Sequence, residues 1–253
     1  MTVTLAATLL LSVLIGLSLG LLGGGGSILT VPILTYVAGM SPREAIASSL
    51  FVVGVTSAFS AIGHARKGRV KWRTGLLFGA AGMAGAFGGG LLGGRIPGTI
   101  LMIAFALMMV ATSAAMIRGR KKVTPAGDGE LRVGKVIIEG LVVGLVTGLV
   151  GAGGGFLVVP ALALLGGLSM PVAVGTSLVV IAMKSFAGLG GYLTTVSLNW
   201  PLIAAVTIAA ILGSLIGARL AGRIPEAALR RGFGIFVLVM GIFVLGQELL
   251  GLR

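Results

Sequence analysis

The sequence contains an internal duplication, because its second half repeats its first half at a shift of 128 residues without a gap. The segment GLLGGGGSILTVP at 20–32 aligns with GLVGAGGGFLVVP at 148–160. The only two tryptophans, Trp72 and Trp200, keep the same register, and an Arg-Ile-Pro tripeptide follows in both halves. A glycine-rich composition raises the number of chance glycine matches, but it does not pair tryptophans. The chain therefore folds as two related halves.

The composition places both halves in a lipid bilayer. Hydrophobic residues make up 57% of the 253 residues, charged residues make up 10%, and the mean hydropathy is +1.14. Several apolar runs are long enough to cross a membrane, and the loops between them are short. The predicted fold class is an all-α, polytopic transmembrane helical bundle. Two repeats that enclose a central site are typical of secondary transporters.

Helix length and helix breakers divide each repeat into the same elements. A glycine break interrupts the apolar sequence early in each half, and a polar segment with turn-forming proline and glycine separates the halves. The predicted domains are repeat 1 at 1–117, a cytoplasmic linker at 118–133 and repeat 2 at 134–253. Within repeat 1 the predicted elements are a helix at about 4–22, a break at Gly23–Gly26, a short apolar piece at Ser27–Ala38, and helices near 43–63, 74–94 and 98–117.

The direction of the two repeats depends on the short apolar piece. If it completes one crossing, each repeat crosses the membrane four times, and the basic loop at 66–73 shares a side with the uncharged segment TTVSLN. If it turns back as a re-entrant hairpin, the repeats are inverted and the basic clusters at 66–73, 118–135 and 219–231 all lie in the cytoplasm. The positive-inside rule favours inverted repeats, with both termini outside.

The formal net charge of +13 has the same explanation, because the cations lie in the loops. We therefore expect a multi-pass protein of the cell inner membrane with cytoplasmic basic loops, and no nucleic-acid partner. Trp72 and Trp200 are interpreted as interfacial anchors, and Glu139 as the ion-pair partner of Lys135.

Small residues recur every four positions and predict close helix packing. The same surfaces also fit a homodimer contact, and the sequence does not separate the two. These positions are Gly16, Gly20 and Gly24, their counterparts Gly144, Gly148 and Ala152, and the pairs Gly85–Gly89 and Gly213–Gly217.

The repeated glycine segment is the strongest candidate site. Consecutive glycines break a helix and leave backbone groups unpaired, so such a break must line a cavity or be buried in protein. The helix that restarts after it offers free N–H groups and a positive dipole end to an anion. The alternative is that the glycines only permit a tight helix crossing. The candidate ligands are Gly24, Gly25, Gly26 and Ser27 in repeat 1, and Gly153, Gly154 and Gly155 in repeat 2.

The next predicted helix of each repeat adds polar side chains. Ser48 and Ser49 in repeat 1 match Thr176 and Ser177 in repeat 2. Seven- and four-residue spacings place Ser49, Thr56, Ser60 and Gly63 near one helical stripe, and Ser177, Lys184 and Gly188 near the equivalent one.

Lys184 is the most informative residue of this set, because a lone cation inside an apolar helix is costly unless it is paired or hydrated. No acidic residue lies at comparable depth, so a bound anion is its simplest partner. The alternative is that Lys184 snorkels to the interface or pairs with backbone carbonyls. Ser49, Thr176, Ser177 and Lys184 join the glycine segments as predicted substrate-binding residues.

The sequence offers few residues for metal binding, cofactor binding or catalysis. The chain has no cysteine and one histidine, so we expect no metal centre and no cofactor. His64 follows an apolar helix beside the basic loop and is interpreted as an interfacial residue. No set of nucleophile, base and orienting group is evident, and the chain is therefore not expected to be an enzyme.

The duplicated GxxGxGGGxxxxP pattern, followed in each half by ASSL or GTSL, resembles the TauE/SafE sulfite exporter family over essentially the whole chain. The first copy departs slightly, with Ser27 where the second has Gly155. The resemblance implies an inner-membrane permease that moves sulfite, sulfoacetate or related sulfonates, often in the export direction.

The two lines of argument predict an alternating-access carrier for a small anion. Helix N-termini, hydroxyl groups and one ammonium group suit a tetrahedral oxyanion or a sulfonate. The same residues also fit an anion channel, a transporter of another small anion such as a carboxylate, or a non-transporting membrane scaffold or receptor.

Overall fold

The computed structural model describes residues 2–22, 27–118, 133–151, 158–159, 162, 168, 170–220 and 226–251. This part of the chain contains helices and no strands. The helices are α1 (Thr2–Leu22), α2 (Ser27–Val37), α3 (Pro42–Arg66), α4 (Trp72–Gly93), α5 (Gly98–Arg118), α6 (Val133–Val150), α7 (Met170–Tyr192), α8 (Trp200–Leu220) and α9 (Glu226–Leu250).

The helices suit a bilayer in length and in surface. Five of the described helices, namely α1, α3, α4, α7 and α8, are long and apolar enough to cross a membrane. Their outward faces expose large apolar side chains, for example Leu10, Ile208 and Leu212. Water would disfavour such a surface, whereas hydrocarbon does not. The predicted all-α class is confirmed for the described residues, and five of their helices could cross a membrane.

Helix starts follow the duplication. Met170, Trp200 and Glu226 begin α7, α8 and α9, each 128 residues after the start of α3, α4 and α5. Capping residues fix two of these starts. Ser41 accepts a hydrogen bond from the N–H of Glu44 at the start of α3, and Asn199 accepts one from Leu202 at the start of α8.

The two halves pack against each other reciprocally. Helix α1 packs on α8 and α4 packs on α6, so the first helix of each half contacts the helix of the other half that begins with tryptophan. The central helices α3 and α7 pack together, as do α5 and α9. Helices α3 and α7 are the most buried of the candidate membrane spans.

Glycine makes these contacts close. A Cβ atom at Gly16 or Gly20 would overlap the backbone of α8, and one at Gly144 or Gly148 would overlap the backbone of α4. Gly85, Gly89, Gly213 and Gly217 meet the facing helix in the same way. The predicted packing role of these stripes is confirmed, and for these eight positions the contact lies within one chain. Gly24 and Ala152 lie outside the described residues.

Candidate functional site

The second glycine segment begins where α6 stops. Gly151 adopts a φ of 72°, in the left-handed region that favours glycine. Its N–H donates to the carbonyl of Thr147 at 3.0 Å, and a side chain at this position would overlap Ile46 of α3. The helix therefore ends against the other repeat. The predicted ligands Gly24, Gly25, Gly26, Gly153, Gly154 and Gly155 lie outside the described residues.

Ser49 connects the two repeats at this point. Its side chain is buried, and the single proton of its hydroxyl is shared between the carbonyl of Gly151 at 2.6 Å and that of Ile46 at 2.8 Å. A predicted binding residue of repeat 1 thus contacts the first residue of the glycine segment of repeat 2.

Lys184 lies in the interior of the bundle, where 1% of its surface is exposed. Its ammonium group donates to the hydroxyl of Thr147 at 3.3 Å, and that hydroxyl donates in turn to the carbonyl of Val143 at 2.7 Å. No carboxylate pairs with Lys184 among the described residues. Its burial argues against snorkelling to the membrane interface.

The space for the Lys184 side chain comes from α4. A Cβ atom at Gly82 would lie 2.7 Å from Cδ of Lys184, well inside van der Waals contact. Because Gly82 has no side chain, the lysine passes alongside α4 and reaches Thr147 on α6. Helix α4 of repeat 1 and helices α6 and α7 of repeat 2 therefore enclose Lys184.

These contacts define a group of four residues, which we call the Gly151 cluster: Ser49, Thr147, Gly151 and Lys184. Sequence reasoning missed Thr147. A signal was present, because Thr147 is a hydroxyl residue one helical turn before the second glycine segment, in the apolar stretch 140–150 of α6.

Thr176 and Ser177 lie apart from the Gly151 cluster. The hydroxyl of Thr176 accepts a hydrogen bond at 3.0 Å from the N–H of Lys71, the residue just before α4. Ser177 donates to the carbonyl of Val174 at 2.7 Å. Eight residues of α7 separate Thr176 from Lys184, a distance of about 12 Å along a helix axis. Their predicted role in binding stays a prediction.

The remaining members of the predicted stripes are only partly buried. Ser48 and Thr56 are buried in α3, whereas Ser60 is half-buried and Gly63 is exposed. Ser27 is buried at the start of α2. Within the described ranges, no three His, Asp or Glu residues lie close enough together to hold a metal ion.

The described contacts of Lys184 do not offset the free-energy cost of burying its charged ammonium group. A cation at the centre of a transmembrane helix costs about 2.5–3.5 kcal/mol on insertion scales, and one neutral hydroxyl does not neutralise its charge. A chemical partner with negative charge would remove this cost. The site is therefore suited to hold a small anion.

Comparison with known proteins identifies relatives of the whole chain. The family model described as "Sulfite exporter TauE/SafE" matches residues 8–244. A "Probable membrane transporter protein" of Xylella fastidiosa is 36% identical over 248 residues, which cover 93% of this chain and 92% of that protein. One from Methanocaldococcus jannaschii is 30% identical and covers 93% of this chain and 94% of its own length. No solved structure matches the chain.

Proposed function

Because the chain belongs to the TauE/SafE sulfite exporter family of membrane transporters, we propose that it exports small sulfur-containing anions, such as sulfite, sulfoacetate or other sulfonates, by alternating access. The observation that carries this proposal is the buried ammonium group of Lys184, which has a hydroxyl partner and no carboxylate partner in the described part of the chain. Membership in a transporter family also agrees with the expectation that the chain is not an enzyme.

An oxyanion matches the chemistry of the Gly151 cluster. Lys184 supplies charge and Thr147 lies beside it with a hydroxyl group. Ser49 holds the carbonyl of Gly151, where the glycine segment begins. Backbone N–H groups at a helix start bind anions well, so the residues after Gly151 are the expected second half of the site.

Helix directions support inverted repeats. Gly16 and Gly20 meet Ala210 and Ser214 in order, so α1 runs parallel to α8, and Gly85 and Gly89 meet Leu141 and Leu145 in the same way, so α4 runs parallel to α6.

The central helices run in opposite directions, because Gly54 meets Ser185 whereas Gly175 meets His64. The ring of Trp200 at the start of α8 lies 5.3 Å from the ring of Phe51 in α3. This part of α3 packs beside the end of α7, so α8 starts on the side where α7 ends and runs in the opposite direction to α7. Each described helix of repeat 1 in these contacts thus opposes its counterpart in repeat 2, as inversion requires.

The charges support a cytoplasmic assignment for one end of the bundle. The loop after Arg66 lies at this end, and α8 finishes there with Arg219. At the other end Arg43 donates to the carbonyl of Ile96 at 2.8 Å, and few cations accompany it. The positive-inside rule then puts the basic end in the cytoplasm of a cell whose inner membrane holds the protein.

Export by such a carrier needs no ATPase. An inside-negative potential drives an anion outward with about 2.3 kcal/mol per charge per 100 mV. Rocking of the two repeats about the Gly151 cluster would expose the anion to one side at a time.

Flux measurements test the proposal. Purified protein in liposomes loaded with sulfite should release it faster when the potential is negative inside, and Lys184→Met should abolish release. Lys67→Met, which removes an exposed loop cation, is the matched control and should retain the flux. Wild-type protein that moves neither sulfite nor sulfoacetate would contradict the proposal, and currents far above carrier rates would indicate a channel.

A further inference from the structure

The two central helices meet along a face that the Lys184 side chain does not occupy. Leu50 and Gly54 of α3 contact Gly188 and Ser185 of α7, and Cβ of Ser185 lies 3.3 Å from where a Cβ of Gly54 would be. Farther along, Ala61 packs in one apolar cluster with Leu178 and Ile181.

Two serines lie on this face at equivalent positions of the duplication. Ser57 falls between Gly54 and Ala61 on α3, and a shift of 128 residues takes it to Ser185 on α7. Both side chains are 0% exposed. Neither hydroxyl has a hydrogen-bond partner among the described residues.

Ser48, Thr56 and Ser60 of α3 also lack a partner among the described residues, but Ser57 and Ser185 are a pair at equivalent positions of the two repeats. Serine hydroxyls in helices commonly donate to a carbonyl three or four residues earlier, and Ser49, Ser113 and Ser214 of this chain do so. Leaving a buried hydroxyl unpaired costs free energy, so two equivalent cases suggest a partner that comes and goes.

A mainly apolar groove lies beside this pair, near the basic end of the bundle, and residues next to the serines rather than the serines themselves line it. Its volume is about 340 Å³, and it lies between α3 and α7, with Ala58, Ala61, Val179 and Ala182 in its walls. Arg66 and Trp72 line the part near the loop. Ala58 is the neighbour of Ser57, and Ala182 lies one helical turn before Ser185.

We propose that Ser57 and Ser185 form a second anion-binding station, distinct from the Gly151 cluster, where the transported oxyanion receives one hydroxyl hydrogen bond from each repeat. The proposal rests on the proposed function and adds a place on the transport path. Sulfite and sulfonates carry several acceptor oxygens, so two neutral donors can bind one anion together. Two equivalent donors from opposite repeats remain usable whichever repeat tilts.

Neutral donors suit a station on a path better than a second cation would. A carrier must release its substrate, so binding must be strong enough for entry and weak enough for exit. Lys184 precedes Ser185 on α7 but extends towards α4 and α6, so the two stations lie on neighbouring faces of one helix.

The test is a sulfite titration of purified protein, followed by the rise in melting temperature with anion concentration. Ser57→Ala and Ser185→Ala should each weaken the apparent affinity for sulfite about tenfold, as expected for one hydrogen bond to a charged group. The anion-free variants should melt at the same temperature as the wild type or higher, because each loses an unpaired buried hydroxyl.

Ser113→Ala is the matched control, because it removes a buried serine hydroxyl that already donates to the carbonyl of Val110. Its affinity for sulfite should not change. Ser57→Cys and Ser185→Cys keep a side chain of similar size and provide a second pair of variants if an alanine variant fails to fold; they should weaken binding as well.

The outcomes separate the two proposals. If Lys184→Met abolishes sulfite binding while the double alanine variant binds like the wild type, the second station is wrong and the proposed function stands. If the alanine variants melt at lower temperature and keep their affinity, the serines serve packing only. If the wild type shows no shift with sulfite or sulfoacetate, both proposals fail.

Discussion

The central helices α3 and α7 are equivalent in sequence position, burial and packing, yet they differ in charge. Position 56 of α3 is a threonine, and the equivalent position 184 of α7 is a lysine. Both side chains are buried, at 2% and 1% exposed. The two central helices are therefore equivalent in backbone and burial, but only α7 carries a lysine at this position.

The surroundings of the two positions differ in the same sense. Thr147 and Gly82, which give Lys184 a partner and space, correspond in repeat 1 and repeat 2 to Leu19 and Ala210 by the shift of 128 residues. A lysine at position 56 would find neither. The difference indicates that the lysine, its hydroxyl partner and the glycine beside it occur together at this level of one central helix and not of the other.

The largest effect is expected from moving the cation between the repeats. Like Lys184→Met, Lys184→Thr should abolish detectable sulfite binding, a loss of at least about 100-fold, because a buried charge partner is lost. Adding Thr56→Lys should not restore it, because Leu19 and Ala210 deny the new ammonium a partner and space. Binding assays on the single and double variants check this, and recovery in the double variant would show that the two positions are interchangeable.

A tenfold effect is expected at Gly82. Gly82→Ala places a methyl group against the Lys184 side chain and should displace the ammonium group from Thr147, with a loss of sulfite affinity of about tenfold. Gly63→Ala is the control, because nothing lies within 4 Å of a Cβ at that position. Equal affinities for the two variants would contradict the proposed path of the lysine.

A smaller effect is expected at Thr147. Thr147→Val keeps the shape of the side chain but removes the acceptor of the Lys184 hydrogen bond, which is worth about 1.5–3 kcal/mol for a charged donor. Thermal unfolding without anion should show a less stable protein, and added sulfite should recover part of the loss. The converse variant Leu19→Thr in repeat 1 should leave binding unchanged.

The smallest effect on binding is expected at Thr176. Thr176→Val removes the hydrogen-bond acceptor for the N–H of Lys71, which should lower stability by about 1 kcal/mol. Sulfite affinity should change less than twofold, because the hydroxyl lies about two helical turns from Lys184. A large loss of affinity in a titration would return Thr176 to the binding site, as the sequence predicts.

Much of the scaffold was predictable from the sequence alone. The duplication and the apolar runs gave the helices to within a few residues, and the four-residue glycine spacings identified the surfaces at which α1 meets α8 and α4 meets α6. These features are periodic and local, so a linear sequence records them directly.

The composition of the site was less accessible. The contact between Ser49 and Gly151 joins residues 102 positions apart, and no local pattern states which repeat contacts which. The duplication aligns Thr176 with Ser48 and therefore predicts it as a binding residue. In the structure its hydroxyl instead accepts a hydrogen bond from Lys71, in the loop before α4. Equivalent positions of the two repeats have the same backbone conformation, but their side chains make different contacts.

The central claim is that the buried ammonium group of Lys184 binds the transported anion. Equilibrium binding of radiolabelled sulfite to purified wild-type protein and to Lys184→Met tests it most directly, with Lys67→Met as the control for charge. The account predicts saturable binding to the wild type and to the control, and none to Lys184→Met. Saturable binding of equal affinity to all three proteins would contradict it.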